Sequence, residues 1–88
     1  MLTVVKYQAD WCAACKALEP ALNKLEDDGL IDVIYVNVET DAAQAVKANV
    51  RSLPTLIVYN KMEGDGVSYM DELARGSTID VVNKLLEA

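Results

Sequence analysis

The residues of this chain best suited to chemistry are its only two cysteines, Cys12 and Cys15, in the segment Trp11-Cys12-Ala13-Ala14-Cys15-Lys16. An apolar, β-branched run from Leu2 to Tyr7 precedes them, and an amphipathic helical pattern opens with them. Two cysteines three apart on a helix's first turn can close a small disulfide ring. The first also sits where unpaired backbone N–H groups and the helix dipole favour a thiolate. A strand leading into CxxC is the pattern of thiol–disulfide exchange in an intracellular chain. Structural thiols or half of a zinc site are the alternatives. Zinc wants four ligands, and with no other cysteine and no histidine it would need carboxylates or a second subunit.

The elements that must hold this pair read as strand, helix, strand, helix, strand, strand, helix. Leu2–Tyr7 predicts a buried strand. Cys15, Leu18, Leu22 and Leu25 repeat at helical spacing over residues 12–28, with Gly29 as the stop and Pro20 as an internal kink. Ile31–Val38 predicts a second strand, and Thr40 or Asp41 can cap a short alanine-rich helix ending near Ala48. Thr55–Asn60 predicts a third strand and Val67–Leu73 a fourth, with Gly64-Asp65-Gly66 as the turn between them. Ser77 or Thr78 caps a last helix whose Ile79, Val82, Leu85 and Leu86 face inward. Alternating strand and helix imply a parallel βαβ unit in the first half; the second half adds an antiparallel hairpin and a covering helix. The expected fold is α/β: a four-stranded mixed sheet in the order βαβαββα with helices on both faces.

Bulk composition narrows the function. Eighty-eight residues allow one domain with one modest core, here taken as residues 1–88. A net charge of −6 without any basic cluster argues against nucleic acid or an anionic membrane as partner. The apolar runs are too short to cross a bilayer, and Met1 leads straight into the first strand with no visible signal peptide. A reducing cytoplasm and a monomeric state are the expectations.

In this order and spacing, several segments together resemble the thioredoxin family over nearly the whole chain. Ala9-Asp10-Trp11-Cys12-Ala13-Ala14-Cys15-Lys16 is similar to the family's active-site segment, and Pro20 falls at its helix-kinking proline. Val50-Arg51-Ser52-Leu53-Pro54-Thr55 resembles the loop with its cis-proline, and Gly76 the glycine before its final helix. The departures are specific. The chain begins at the strand leading into CxxC, so the family's usual first strand and helix have no counterpart. Ala13-Ala14 replaces the typical Gly-Pro, residues 60–75 are longer than usual for the hairpin, and Tyr35 stands where many bacterial members carry lysine. Lys6 occupies the position where the family normally buries an aspartate beneath its second cysteine.

The resemblance implies a protein-disulfide reductase with no bound cofactor. Its redox centre is the Cys12–Cys15 disulfide, and its electrons come from an external reductase, expected to be a thioredoxin reductase. Cys12, first in the helix, is the expected nucleophile on substrate disulfides, and Cys15 the resolving thiol. Glu19, one turn beyond Cys15, is the candidate proton acceptor, with Lys6 as its candidate partner. A buried lone ammonium is costly and a carboxylate removes the problem, although Lys6 could instead thread its charge out to water. Asp10 reads as a capping or surface carboxylate, and Lys16 as facing solvent. Trp11, Ala13, Leu53, Pro54 and the Ala74-Arg75-Gly76 segment are the expected substrate surface, with Leu53 backbone free to pair with an extended substrate. Ala13-Ala14 lacks proline's rigidity. That predicts a potential somewhat less reducing than the roughly −270 mV of a thioredoxin, yet far from the roughly −120 mV of a strong oxidant. Two other functions fit less well: a thioredoxin-like binding subunit of another enzyme, and a glutathione-dependent glutaredoxin-like reductase, which typically has Pro-Tyr between its cysteines.

Overall fold

The run Leu2–Tyr7 that leads into the cysteines becomes an interior strand of the sheet. In the computed structural model, which describes residues 2–60 and 72–87, β1 (Leu2–Gln8) lies between β2 (Ile31–Asn37) and β3 (Thr55–Asn60). β1 pairs in parallel with β2 and antiparallel with β3, which in turn pairs antiparallel with β4 (Glu72–Gly76). The sheet order is therefore β2-β1-β3-β4. A strand flanked on both sides must be apolar on both faces. Every residue from Thr3 to Tyr7 is buried, Lys6 included.

Side chains alternate between two cores. On one face Val4, Ile31, Leu56 and Val58 pack against Leu22 of α2 (Glu19–Asp27) and Val82 of α4 (Asp80–Glu87). On the other, Val5, Tyr7, Val36, Ile57 and Tyr59 pack against Ala45 and Ala48 in and just after α3 (Ala42–Lys47). Helices thus cover both faces, as the α/β pattern requires.

The single kinked helix expected over residues 12–28 is two helices. α1 (Ala13–Ala17) stops at Leu18, whose N–H bonds to Cys15 O at 3.3 Å, and α2 restarts when the Leu22 N–H finds Leu18 O at 3.1 Å. Pro20 lies in the first turn of α2, where its missing N–H would be unpaired in any case. α2 ends at Gly29 with φ +75°: the Gly29 N–H bonds to Glu26 O at 3.0 Å and the Leu30 N–H to Leu25 O at 3.0 Å. That double closure needs a left-handed residue. A Cβ at Gly29 would meet nothing within 4 Å, so only the backbone would object to one. Gly29→Ala is expected to cost about 1 kcal/mol of stability in urea unfolding, with the redox chemistry unchanged. Asn49, φ +59°, closes α3 in the same way.

Other expectations shift. Asp41 takes the cap position of α3 without a side-chain cap bond. α4 begins at Asp80, its first bonds running to the carbonyls of Thr78 and Ile79, so Ser77 and Thr78 precede the cap position expected of them. The fourth strand, expected over Val67–Leu73, is described at Glu72–Gly76; the remainder of that expected strand and the Gly64-Asp65-Gly66 turn lie outside the described residues. The strand runs on past its expected end at Leu73 because it is paired there: Leu56 opposes Gly76 and Val58 opposes Ala74, with a bulge between Val58 and Tyr59. Cross-strand partners, not local hydrophobicity, set this strand.

Candidate active site

β1 delivers the chain to the end of the sheet, and a tight turn hands it to α1. The Cys12 N–H closes that turn on Ala9 O at 3.1 Å. Cys12 is the N-cap of α1, extended at φ −88° and ψ 99°, and its Sγ accepts the Cys15 N–H at 3.1 Å. The sulfur therefore does what a serine hydroxyl does at other caps, and it receives a donor suited to a thiolate. Cys12 and Cys15 form a disulfide with Cα atoms 5.2 Å apart. Cys12 is 6% exposed and Cys15 1%, so access is asymmetric but narrow on both sides. In this form no thiolate is available to a metal. Among the described residues no three or more His, Cys, Asp or Glu gather as ligands would.

The loop before β3 forms the other wall. Leu53–Pro54 is cis, and the Thr55 hydroxyl donates to Ser52 O at 2.6 Å across the bend. Leu53 and Val38 pack against the cluster of Ala9, Cys12 and Cys15, while Pro54 is buried beneath. Trp11, 70% exposed, stands free on the near side. Between Trp11 and Leu53 opens a shallow cavity of about 290 Å³ whose far wall is Val50, Arg51 and Ser52.

The remaining expected surface residues do not line that cavity. Ala13 is exposed on α1, and Ala74 lies half-buried in β4. Arg75 and Gly76 border a separate cavity of about 330 Å³. Arg75 is engaged by Glu72 at 2.6 and 2.7 Å and reaches Asn49 O at 3.5 Å. That bond holds the Glu72 carboxyl below its ordinary range. Val50, Arg51 and Ser52 are the residues that sequence reading missed. They belong to the proline-bearing loop, and their place in the Val50–Thr55 motif was the available signal.

Lys6 sits on the α2 face of β1, between Tyr35 of β2 and Leu56 of β3 in register. It is wholly buried; its Nζ makes no hydrogen bond and lies 3.9 Å from Glu19 Oε1, whose side chain is 49% exposed. The Tyr35 ring lies under the same ammonium at 5.4 Å from its centroid, and the Tyr35 hydroxyl donates to Asn23 Oδ1 at 3.3 Å. Burial pulls the Lys6 pKa below its ordinary value, and the Glu19 carboxylate opposes that. Asp10 accepts from Asn37 Nδ2 at 3.3 Å, on the surface and not as a cap, and Lys16 is exposed.

The family model described as Thioredoxin matches residues 1–84. The chain is 36% identical over 62 residues to Thioredoxin C-2 of Corynebacterium nephridii, covering 68% of this chain and 57% of that one. It is 35% identical over 88 residues to Thioredoxin-T of Drosophila melanogaster, covering 98% of this chain and 52% of that one. The chain thus spans little more than half the length of these relatives. Among solved structures, the reduced Schistosoma mansoni thioredoxin pre-protein superposes with a TM-score of 0.78 at 23% identity, over 98% of this chain and 76% of that one. That likeness concerns the fold.

Proposed function

Because the chain belongs to the thioredoxin family, we propose that it is a thiol–disulfide oxidoreductase that reduces disulfides in partner proteins through the Cys12–Cys15 pair. The observation that carries this is the sulfur cap: Cys12 Sγ, joined to Cys15, takes the Cys15 N–H at the start of α1, beside the Leu53–Pro54 loop. Reduced Cys12, held by that donor, attacks a substrate disulfide and forms a mixed disulfide. Cys15 then attacks Cys12, releasing the substrate thiol and restoring the internal disulfide. Glu19 is the acceptor for the Cys15 proton. Its half-exposed carboxylate can pass that proton to water, and Lys6 holds it in place.

Substrate lies across Trp11 and Leu53. The Leu53 backbone pairs with an extended segment, and an apolar side chain enters the adjoining cavity. Electrons come from a thioredoxin reductase in a reducing compartment such as the cytoplasm, where the protein acts as a monomer. No helix among the described residues is long and apolar enough to cross a membrane.

Insulin disulfide reduction tests the reading, driven in parallel by thioredoxin reductase and by glutathione with its own reductase. Turnover with the first and not the second is expected; turnover with neither overturns it. Trp11→Ala should leave stability within about 0.5 kcal/mol, since an exposed side chain anchors little of the fold. It should raise the KM for insulin several-fold, because a flat aromatic contact is lost. An unchanged KM would remove Trp11 from the substrate surface.

A further inference from the structure

Lys6 is the only charged side chain among the described residues that is buried, and it is buried completely. An apolar residue would pack better between Leu56 and the helix above it. A residue that breaks the rules of a core beside a redox centre marks a functional position. The ammonium lies 3.9 Å from the Glu19 carboxylate, and Glu19 stands one turn beyond Cys15, which is itself 1% exposed. The positive charge is thus held against the carboxylate that stands four residues beyond Cys15 in sequence. The groups facing it are Glu19 from α2, the Tyr35 ring from β2 and Leu56 from β3. A carboxylate and an aromatic face both favour the charged amine.

We propose that Lys6 is a positioning residue that favours the Cys15 thiolate, so that the oxidised protein hands its disulfide to substrate dithiols more readily than its CxxC motif alone would allow. This rests on the oxidoreductase reading above and gives the same site a second direction. A substrate thiolate attacks Cys12 Sγ; the Cys12–Cys15 bond breaks and its electron pair stays on Cys15. The second substrate thiol, losing its proton to water, attacks the substrate sulfur and expels Cys12 as thiolate. The substrate dithiol is oxidised to a disulfide, and the two cysteines take up its two electrons. Cys15 is the leaving group of the first step, and a leaving thiol departs faster as its pKa falls. A buried cation lowers that pKa, whereas burial alone raises it.

The test isolates Cys15 in the Cys12→Ser protein and titrates its thiolate absorbance near 240 nm, with and without Lys6→Met. The Cys15 pKa is expected below the free-thiol value of about 8.5 in the Lys6 protein. Lys6→Met should raise it by about one unit or more, a tenfold loss of thiolate near neutral pH. In the two-cysteine protein, single-turnover oxidation of a reduced peptide dithiol should slow roughly three- to tenfold in Lys6→Met. A merely structural role would not move the thiol titration of a folded variant. A Cys15 pKa at or above about 8.5 with Lys6 in place overturns the proposal even if Lys6→Met fails to fold. An unmoved pKa in folded Lys6→Met overturns it too. If insulin is still reduced in either case, the oxidoreductase reading stands and only the role of Lys6 falls.

Discussion

Cys12→Ser should bring insulin reduction down to the uncatalysed background, while Cys15→Ser should instead accumulate a one-to-one mixed disulfide with its substrate. The difference follows from their places in α1. Cys12 caps the helix with its sulfur and receives the Cys15 N–H at 3.1 Å, so its thiolate is stabilised where it forms. A serine hydroxyl can keep the cap bond, and the fold should survive, but at neutral pH it cannot attack a disulfide. Cys15, the more enclosed of the two, is needed only after the first exchange. Without it, Cys12 still attacks and the covalent complex has no internal exit. Mass spectrometry of each variant after incubation with substrate gives the result directly. A stable adduct on Cys12→Ser, carried by Cys15, would reverse the assignment.

Much of this site is legible in the sequence because its parts are local. The cysteine spacing, the neighbouring tryptophan and the Leu53-Pro54-Thr55 run are motifs whose chemistry travels with the residues. Gly29 likewise announces the end of α2 through its own backbone freedom. The parts that depend on register are not legible in the same way. That Tyr35 lies under the Lys6 ammonium follows from the parallel pairing Lys6↔Tyr35. Alternation along each strand shows the faces but not their offset across two intervening helices. The continuation of β4 to Gly76 escaped for a related reason: Glu72–Gly76 has little alternation of its own and is specified by β3 through a bulge. The cavity wall at Val50–Ser52 depends on how a loop folds back toward Trp11, which no period describes. Lys6 was conspicuous in the sequence; its surroundings were not.

Those surroundings make the Lys6–Glu19 pair unequal, and stability should show it. In the structure Lys6 is fully buried, whereas Glu19 is about half exposed. Glu19→Gln leaves an ammonium in the core without its carboxylate. We expect a loss of about 1–2 kcal/mol, below the 3–5 kcal/mol of a fully buried pair because solvent already screens one partner. Lys6→Met leaves a carboxylate that water can solvate and puts an apolar chain against Leu56, so stability should be unchanged or higher. Glu19→Gln in the Lys6→Met background should then cost almost nothing. The pH dependence carries the same signature. Burial lowers the Lys6 pKa in the folded state, so the unfolded chain binds more protons in the alkaline window below the ordinary lysine value of 10.5. Below the folded pKa the full burial cost stands; as pH rises through that pKa the cost is relieved and stability climbs. Tyr35, whose pKa burial raises, acts in the opposite sense above its ordinary value of 10.0 and largely cancels between proteins that share it. Urea unfolding of the four proteins near pH 7 and pH 9.5 measures both effects. Lys6→Met should lose the alkaline rise that the Lys6 protein shows. Additive losses across the cycle, or Lys6→Met as the more damaging single change, would mean that the charge at Lys6 is not held by Glu19.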